Sequence, residues 1–136
     1  MPFFQTQSER SPAPAAESEE SKPHIFHRDD FVLLTDDSKC RLARIEDISI
    51  LEAFRNATLV HFAEENFLIR RSLVECERRL DTSIFFRASR DCIINLSQVK
   101  QPRLLQDGGV VFLLRDGKEV LFSRRQSVLL RTIRGL

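Results

Sequence analysis

The 136-residue sequence has no tryptophan and no tyrosine, one methionine, four glycines and three cysteines. Four glycines, two of them adjacent at 108–109, cannot build the glycine-rich loop that cradles phosphates in nucleotide-binding enzymes. Cys40, Cys76 and Cys92 cannot all pair and lack the close spacing of zinc ligands, which excludes a disulfide-stapled miniprotein and a Cys-rich zinc module. No run approaches the roughly 18 apolar residues of a membrane span, and no charged-then-apolar segment opens the chain, so neither membrane insertion nor a signal peptide is expected. No Ser, Cys or Thr sits in a nucleophile elbow. His24-x-x-His27 has no nearby Cys or convergent carboxylate pair, and His61 falls mid-strand, where a half-buried structural histidine is the default. The expectation is a cytoplasmic domain without metal, cofactor or catalytic group.

Overall charge is also nearly absent, at +1, but its distribution is uneven. Residues 1–25 carry a net −2 and residues 26–84 a net −3, whereas residues 85–136 hold ten basic side chains against four acidic, a net +6. Eight of those ten are arginines (Arg87, Arg90, Arg103, Arg115, Arg124, Arg125, Arg131 and Arg134), whose forked guanidinium suits phosphate and guanine. A basic C-terminal half is the footprint of a polyanionic partner; its plain alternative is a solvated surface.

The chain length suits one domain with a core that needs no staples. Residues 1–25 mix Ser, Pro, Ala and Glu with no apolar period and read as a flexible arm, Phe3 and Phe4 excepted. From residue 26 a single domain is expected to run to residue 136. Short apolar runs point to strands at Phe31–Leu34, Lys39–Ile45, Ile48–Phe54, Ala57–Ala63 and Phe67–Arg71, with a hairpin turn at Glu64-Glu65-Asn66. Ser72 with Glu75 forms a capping box opening a helix over Leu73–Leu80, with Leu73, Cys76, Glu77 and Leu80 at helical spacing. Strands resume at Ile84–Ala88, Cys92–Leu96, Val99–Gln106, Val110–Arg115 and Lys118–Ser123, the last pair joined through Asp116-Gly117. Ser123 with Gln126 makes a second capping box for a terminal helix. Cys76, on an apolar stripe, reads as a small core residue.

The second half carries an ordered set of motifs: Ser72-Leu73…Leu80, then Phe85-Phe86-Arg87-Ala88-Ser89-Arg90-Asp91-Cys92-Ile93-Ile94-Asn95-Leu96, then Val99, the hairpin Val110–Ser123 and Ser123-Arg124-Arg125. With Ile45-Glu46-Asp47-Ile48…Leu51-Glu52-Ala53 upstream, this set resembles the LytTR DNA-binding domain family, the output domains of LytR/AlgR-type bacterial response regulators, over roughly residues 28–136. The resemblance implies a mostly β fold of elongated antiparallel sheets with one short internal helix and a C-terminal helix. It also implies sequence-specific binding of double-stranded DNA by edge loops entering successive grooves, and a role in transcription regulation within two-component signalling. Two copies would sit on tandem direct repeats as a homodimer formed on DNA, with a sensor kinase or membrane regulatory protein as further partner. The family's regulators usually carry a receiver domain before this one. Twenty-five residues cannot form one, so the chain is either a stand-alone regulator, which Met1 favours weakly, or the output part of something larger. A protein-interaction module with little DNA affinity is the alternative reading.

By the same resemblance the DNA-contacting residues are Arg55 and Asn56 in the first loop, Arg87, Ser89 and Arg90 around the second, and Ser123, Arg124 and Arg125 at the last helix. Arg124 matches the family's groove-reading arginine. Arg87 is expected to lean outward as a phosphate contact, or else to hold the loop. The family pattern has His and Ser where this chain has Ser89 and Asp91. Ser89 can donate to phosphate but carries no charge, and Asp91 is expected to pair with Arg87 or Arg90. Asn95, between Ile94 and Leu96, reads as a buried side chain capping local backbone.

Overall fold

The structure, a computed structural model, describes residues 24–136. Of the expected N-terminal arm, only His24 and Ile25 fall within the described residues. Each run expected as a strand from residue 31 onward contains one, and the pairing within the three sheets is antiparallel throughout. β1 (Phe31–Thr35) and β2 (Cys40–Arg44) form a two-stranded ribbon. A 3-10 turn at Ile45–Asp47 leads into β3 (Ile48–Phe54), followed by β4 (Ala57–Phe62), β5 (Glu65–Ile69) and the short helix α1 (Leu73–Glu77). Next come β6 (Phe85–Ser89), β7 (Cys92–Asn95), a 3-10 turn at Leu96–Gln98, β8 (Val99–Leu104), β9 (Val110–Leu114), β10 (Glu119–Leu121) and the terminal helix α2 (Arg124–Arg134). The strands order as β5-β4-β3-β7-β6 in a five-stranded central sheet and β10-β9-β8 in a three-stranded one. This is the mostly β, two-helix arrangement expected from the run lengths.

The central sheet is buried on both faces. Leu51, Val60, Phe67, Phe85 and Ile93 point into one core with Leu34, Ala43, Leu73 and Leu80. Ile50, Phe86, Ala88 and Ile94 point into the other with Val110, Phe112, Leu114, Phe122 and Leu130. Adjacent residues Ile50 and Leu51 on β3, Phe85 and Phe86 on β6, and Ile93 and Ile94 on β7 thus enter opposite cores, whereas Glu52 and Phe54 toward the end of β3 are exposed. Fully burying a side chain such as Phe67, 0 % exposed, is worth about 1.5–3 kcal/mol. The β1–β2 ribbon has only one face covered. Leu34 and Ala43 point inward, while Phe31, Leu33 and Leu42 remain exposed at 55, 60 and 64 %.

Asn95 joins the two halves of the sheet. It is 0 % exposed, and its Nδ2 donates to the carbonyls of Ile48 at 2.8 Å and Glu46 at 3.0 Å, with Ile45 at 3.5 Å. Its Oδ1 accepts from the Ser97 amide at 2.8 Å and hydroxyl at 2.7 Å. The expected backbone cap is present, and it also clamps the turn before β3 onto the end of β7. His61, 8 % exposed, sits 2.8 Å from Glu52 through Nε2, a structural histidine as read.

Three local expectations need correction. The helix from Ser72 keeps its capping box but ends at Glu77, not Leu80. Phe26 donates to the Arg79 carbonyl at 2.7 Å and accepts from the Asp81 amide at 3.1 Å, so the chain entering the domain draws residues 79–81 into a bridge with itself. The β4–β5 turn falls at Ala63-Glu64, and β5 begins at Glu65 because Ala63 takes φ +57 and closes a two-residue hairpin with Phe62 opposite Glu65. The second capping box is half present: Ser123 Oγ accepts from the Gln126 amide at 3.2 Å, but Gln126 Nε2 donates to the Arg87 carbonyl at 2.6 Å. The Ser123 amide, which the box would have used, donates instead to the Ala88 carbonyl at 2.9 Å.

Candidate nucleic-acid interface

Antiparallel pairing decides which loops meet. β3 runs up to Phe54 and returns through Arg55-Asn56 as β4, with Phe54 opposite Ala57. β7 lies beside β3 with Cys92 opposite Glu52, so the Arg90-Asp91 turn before it sits next to the end of β3, where the Ala53 amide donates to the Asp91 carbonyl at 2.9 Å. The bonds from Ser123 and Gln126 to Ala88 and Arg87 bring the first turn of α2 to the end of β6. Three segments far apart in sequence thus share one end of the central sheet. Arg55, Asn56, Ser89, Arg90, Ser123, Arg124 and Arg125 all lie there, and all but half-buried Ser89 are exposed.

The local chemistry differs among them. Arg55 takes φ +58, a left-handed conformation that glycine or asparagine adopts more readily, and lies 5.7 Å from the Phe54 ring centre. Ser89 Oγ accepts from the Asp91 amide at 3.2 Å, which shapes the turn and leaves its hydroxyl hydrogen to donate. Ser123 caps α2, so Arg124 and Arg125 occupy its first two positions, where backbone amides have no intrahelical acceptor. The ion pairs among the described residues involve Arg28, Arg41, Arg44, Arg70, Arg87 and Arg103, but not Arg55, Arg90, Arg124 or Arg125. A groove of about 900 Å³ separates the β6–β7 turn from α2, bordered by Ser89, Arg90, Arg125 and Leu129.

Arg87 departs from its expected outward pose. It shares the sheet face of Phe85 and Ile93, on which α1 packs, and its side chain is 20 % exposed. Nη2 donates to Glu77 Oε1 at 2.9 Å and Nη1 to the Arg90 carbonyl at 2.6 Å. The expected pairing of Asp91 with Arg87 or Arg90 is not formed, because Glu77 already takes the Arg87 guanidinium and the Asp91 backbone is engaged with Ala53 and Ser89. Sequence reasoning missed Glu77 as a partner. The available signal was a carboxylate at an inward position of the α1 stripe, where a charge needs a counter-charge.

Cys92, partly buried at the start of β7, has its thiol pushed up to about 12 by burial, with the Glu52 charge adding to it. Burial likewise raises Cys76. Neither supplies a thiolate at neutral pH. His27 Nδ1 lies 2.9 Å from Asp81, a contact that holds this carboxyl down at about 2, and His24 lies 3.7 Å from Asp30. Among the described residues, no three His, Cys, Asp or Glu side chains converge at metal-ligand spacing, and no helix is long and apolar enough to cross a membrane.

No curated protein matches the chain by sequence. Among solved structures, four chains match. One is a LytTr DNA-binding domain from Bacillus cereus, described as part of a methyl-accepting/DNA response regulator. It is 23 % identical, with a TM-score of 0.71, over 78 % of this chain and 97 % of that one. At that identity the likeness concerns the fold. The family model of the LytTr DNA-binding domain matches residues 38–135. That span includes β2 through α2 and all three segments gathered at the end of the sheet, and on it the chain belongs to the LytTr DNA-binding domain family.

Proposed function

We propose that the chain binds double-stranded DNA sequence-specifically through this end of the central sheet and acts as a bacterial transcription regulator. The observation that carries the reading is the convergence of four arginines without an ion pair among the described residues, from three separate segments, on one end of the central sheet. Arg55 and Asn56 form one projection, Ser89 and Arg90 the next, and Arg124 with Arg125 at the amide-rich start of α2 the third. Bidentate arginine contacts to guanine and an asparagine contact to adenine would read bases, and Arg125 would take phosphate. Two copies on tandem direct repeats would pair through DNA. The exposed apolar face of the β1–β2 ribbon favours a second role for the domain, contact with a regulatory protein partner.

Selection from random duplex DNA at moderate salt tests the proposal: enrichment of one consensus supports it, and no sequence above bulk DNA overturns it. Binding to a protein that persists at high salt, without enriched DNA, would favour the interaction-module reading.

Arg55 supplies a test with two readouts of opposite sign. Left-handed backbone costs an L-residue about 1–2 kcal/mol. Glycine relieves that but loses about 0.4–1 kcal/mol through its freer unfolded chain. Arg55→Gly is therefore expected to raise folding stability in urea by roughly 0.5 kcal/mol while weakening the selected site. Unchanged affinity would remove the β3–β4 turn from the interface.

A further inference from the structure

We infer that Glu77 and Arg87 are positioning residues that set the pose of the Arg90 turn. This rests on the proposed use of that turn in DNA reading. Glu77 ends α1, Arg87 lies on β6, and the Arg87 guanidinium spans the gap, taking Glu77 Oε1 at 2.9 Å on one nitrogen and the Arg90 carbonyl at 2.6 Å on another. The Arg87 carbonyl accepts from Gln126 Nε2 at 2.6 Å, so the same residue also ties down the first turn of α2. Arg87 Nε is buried with no partner among the described residues. The guanidinium is largely buried, and among the described residues two contacts hold its direction. A two-armed arginine between a helix carboxylate and a turn carbonyl fixes both the distance and the tilt of that turn, since the fork is planar and rigid.

Pre-organisation of this kind acts on discrimination, not on charge. Removing the Glu77 carboxylate frees Arg87 to swing, and the Arg90 carbonyl loses its donor. Arg90 keeps its charge but no longer reaches one place. The site should then retain non-specific affinity and salt dependence while losing preference for its consensus. A residue serving only the fold would instead leave the preference of the folded fraction intact.

The test is a double-mutant cycle on the full chain with Glu77→Ala and Arg90→Ala. It reads the ratio of consensus to non-specific affinity, with thermal stability recorded in parallel. Glu77→Ala alone is expected to lower the ratio by about tenfold and to lower it little further once Arg90 is alanine, because contacting residues couple. The salt slope should stay at the wild-type value. An unchanged ratio, or equal losses in both backgrounds, overturns the positioning role. Amide exchange at Arg90, Asp91 and Cys92 gives a readout that needs no DNA: it should accelerate in Glu77→Ala and stay unchanged in Glu64→Ala, a control in the distant β4–β5 turn. Faster exchange in a protein that selects no sequence would retain the positioning and reject the DNA reading. Unaltered exchange would reject the positioning itself.

Discussion

Replacing Asn95 with leucine should lower folding stability by about 3–5 kcal/mol, because each buried polar group left without a partner costs about 1–3 kcal/mol. The change orphans the Ile48 carbonyl and the Ser97 amide, while the Glu46 carbonyl keeps only Gln98 Nε2 at 2.7 Å. Asn95→Asp should cost a comparable amount, since it turns a donor facing three carbonyls into a third party with no hydrogen to give. Urea unfolding monitored by far-ultraviolet circular dichroism would measure both. A midpoint within error of wild type for either variant would mean that solvent or neighbouring groups replace the clamp. Asn95 sits at the opposite end of β7 from the Arg90 turn, so the folded fraction of either variant should keep its DNA preference.

Arg124→Ala should remove about 1–3 kcal/mol from binding to the selected consensus and relax the preference at one base position. The residue is exposed in the first turn of α2, directly after the Ser123 cap, with no ion pair among the described residues to restrain it. Its neighbour differs in what it should do. Arg125→Ala is expected to weaken consensus and non-specific DNA alike and to reduce the slope of log affinity against log salt by about 0.9, the signature of one phosphate contact. Quantitative binding across a panel of single-base variants, at several salt concentrations, separates the two. A proportional loss on every sequence for Arg124→Ala would make it a phosphate contact too.

The strand series was legible because its apolar runs are short and bounded by Asp, Asn, Gly and Ser, and both helix starts were legible from Ser72 and Ser123. The gathering of Arg55, Arg90 and Arg124 at one end was not: it follows from β3 pairing with β7, and local periodicity carries no information about which strands become neighbours. The motif order brought in that arrangement through the family resemblance alone. Arg87 was misdirected for a related reason. Alternation said that it opposes Phe86, which is true, but in a sheet covered on both faces the far side of Phe86 is another packed surface where α1 and Glu77 wait. The early end of α1 depended on Phe26, about fifty residues upstream, which no local signal could supply.

β3 places Ile50 and Leu51, adjacent in sequence, in two different cores. Neither core can come apart while the other keeps its register, since a one-residue slip of β3 would exchange the two side chains. The domain should therefore unfold in a single transition, with circular dichroism and thiol exposure at Cys92 reporting the same midpoint. The β3–β7 contact that couples the cores joins Ile50 to Ile94 across more than forty residues, so its loop closure falls late and makes refolding slow for a chain of this length. The basic C-terminal segment then joins the end of the sheet proposed to face DNA only when that closure is complete. A partly folded chain would present scattered arginines and no ordered end, which would tie the onset of the proposed sequence recognition in time to the last step of folding.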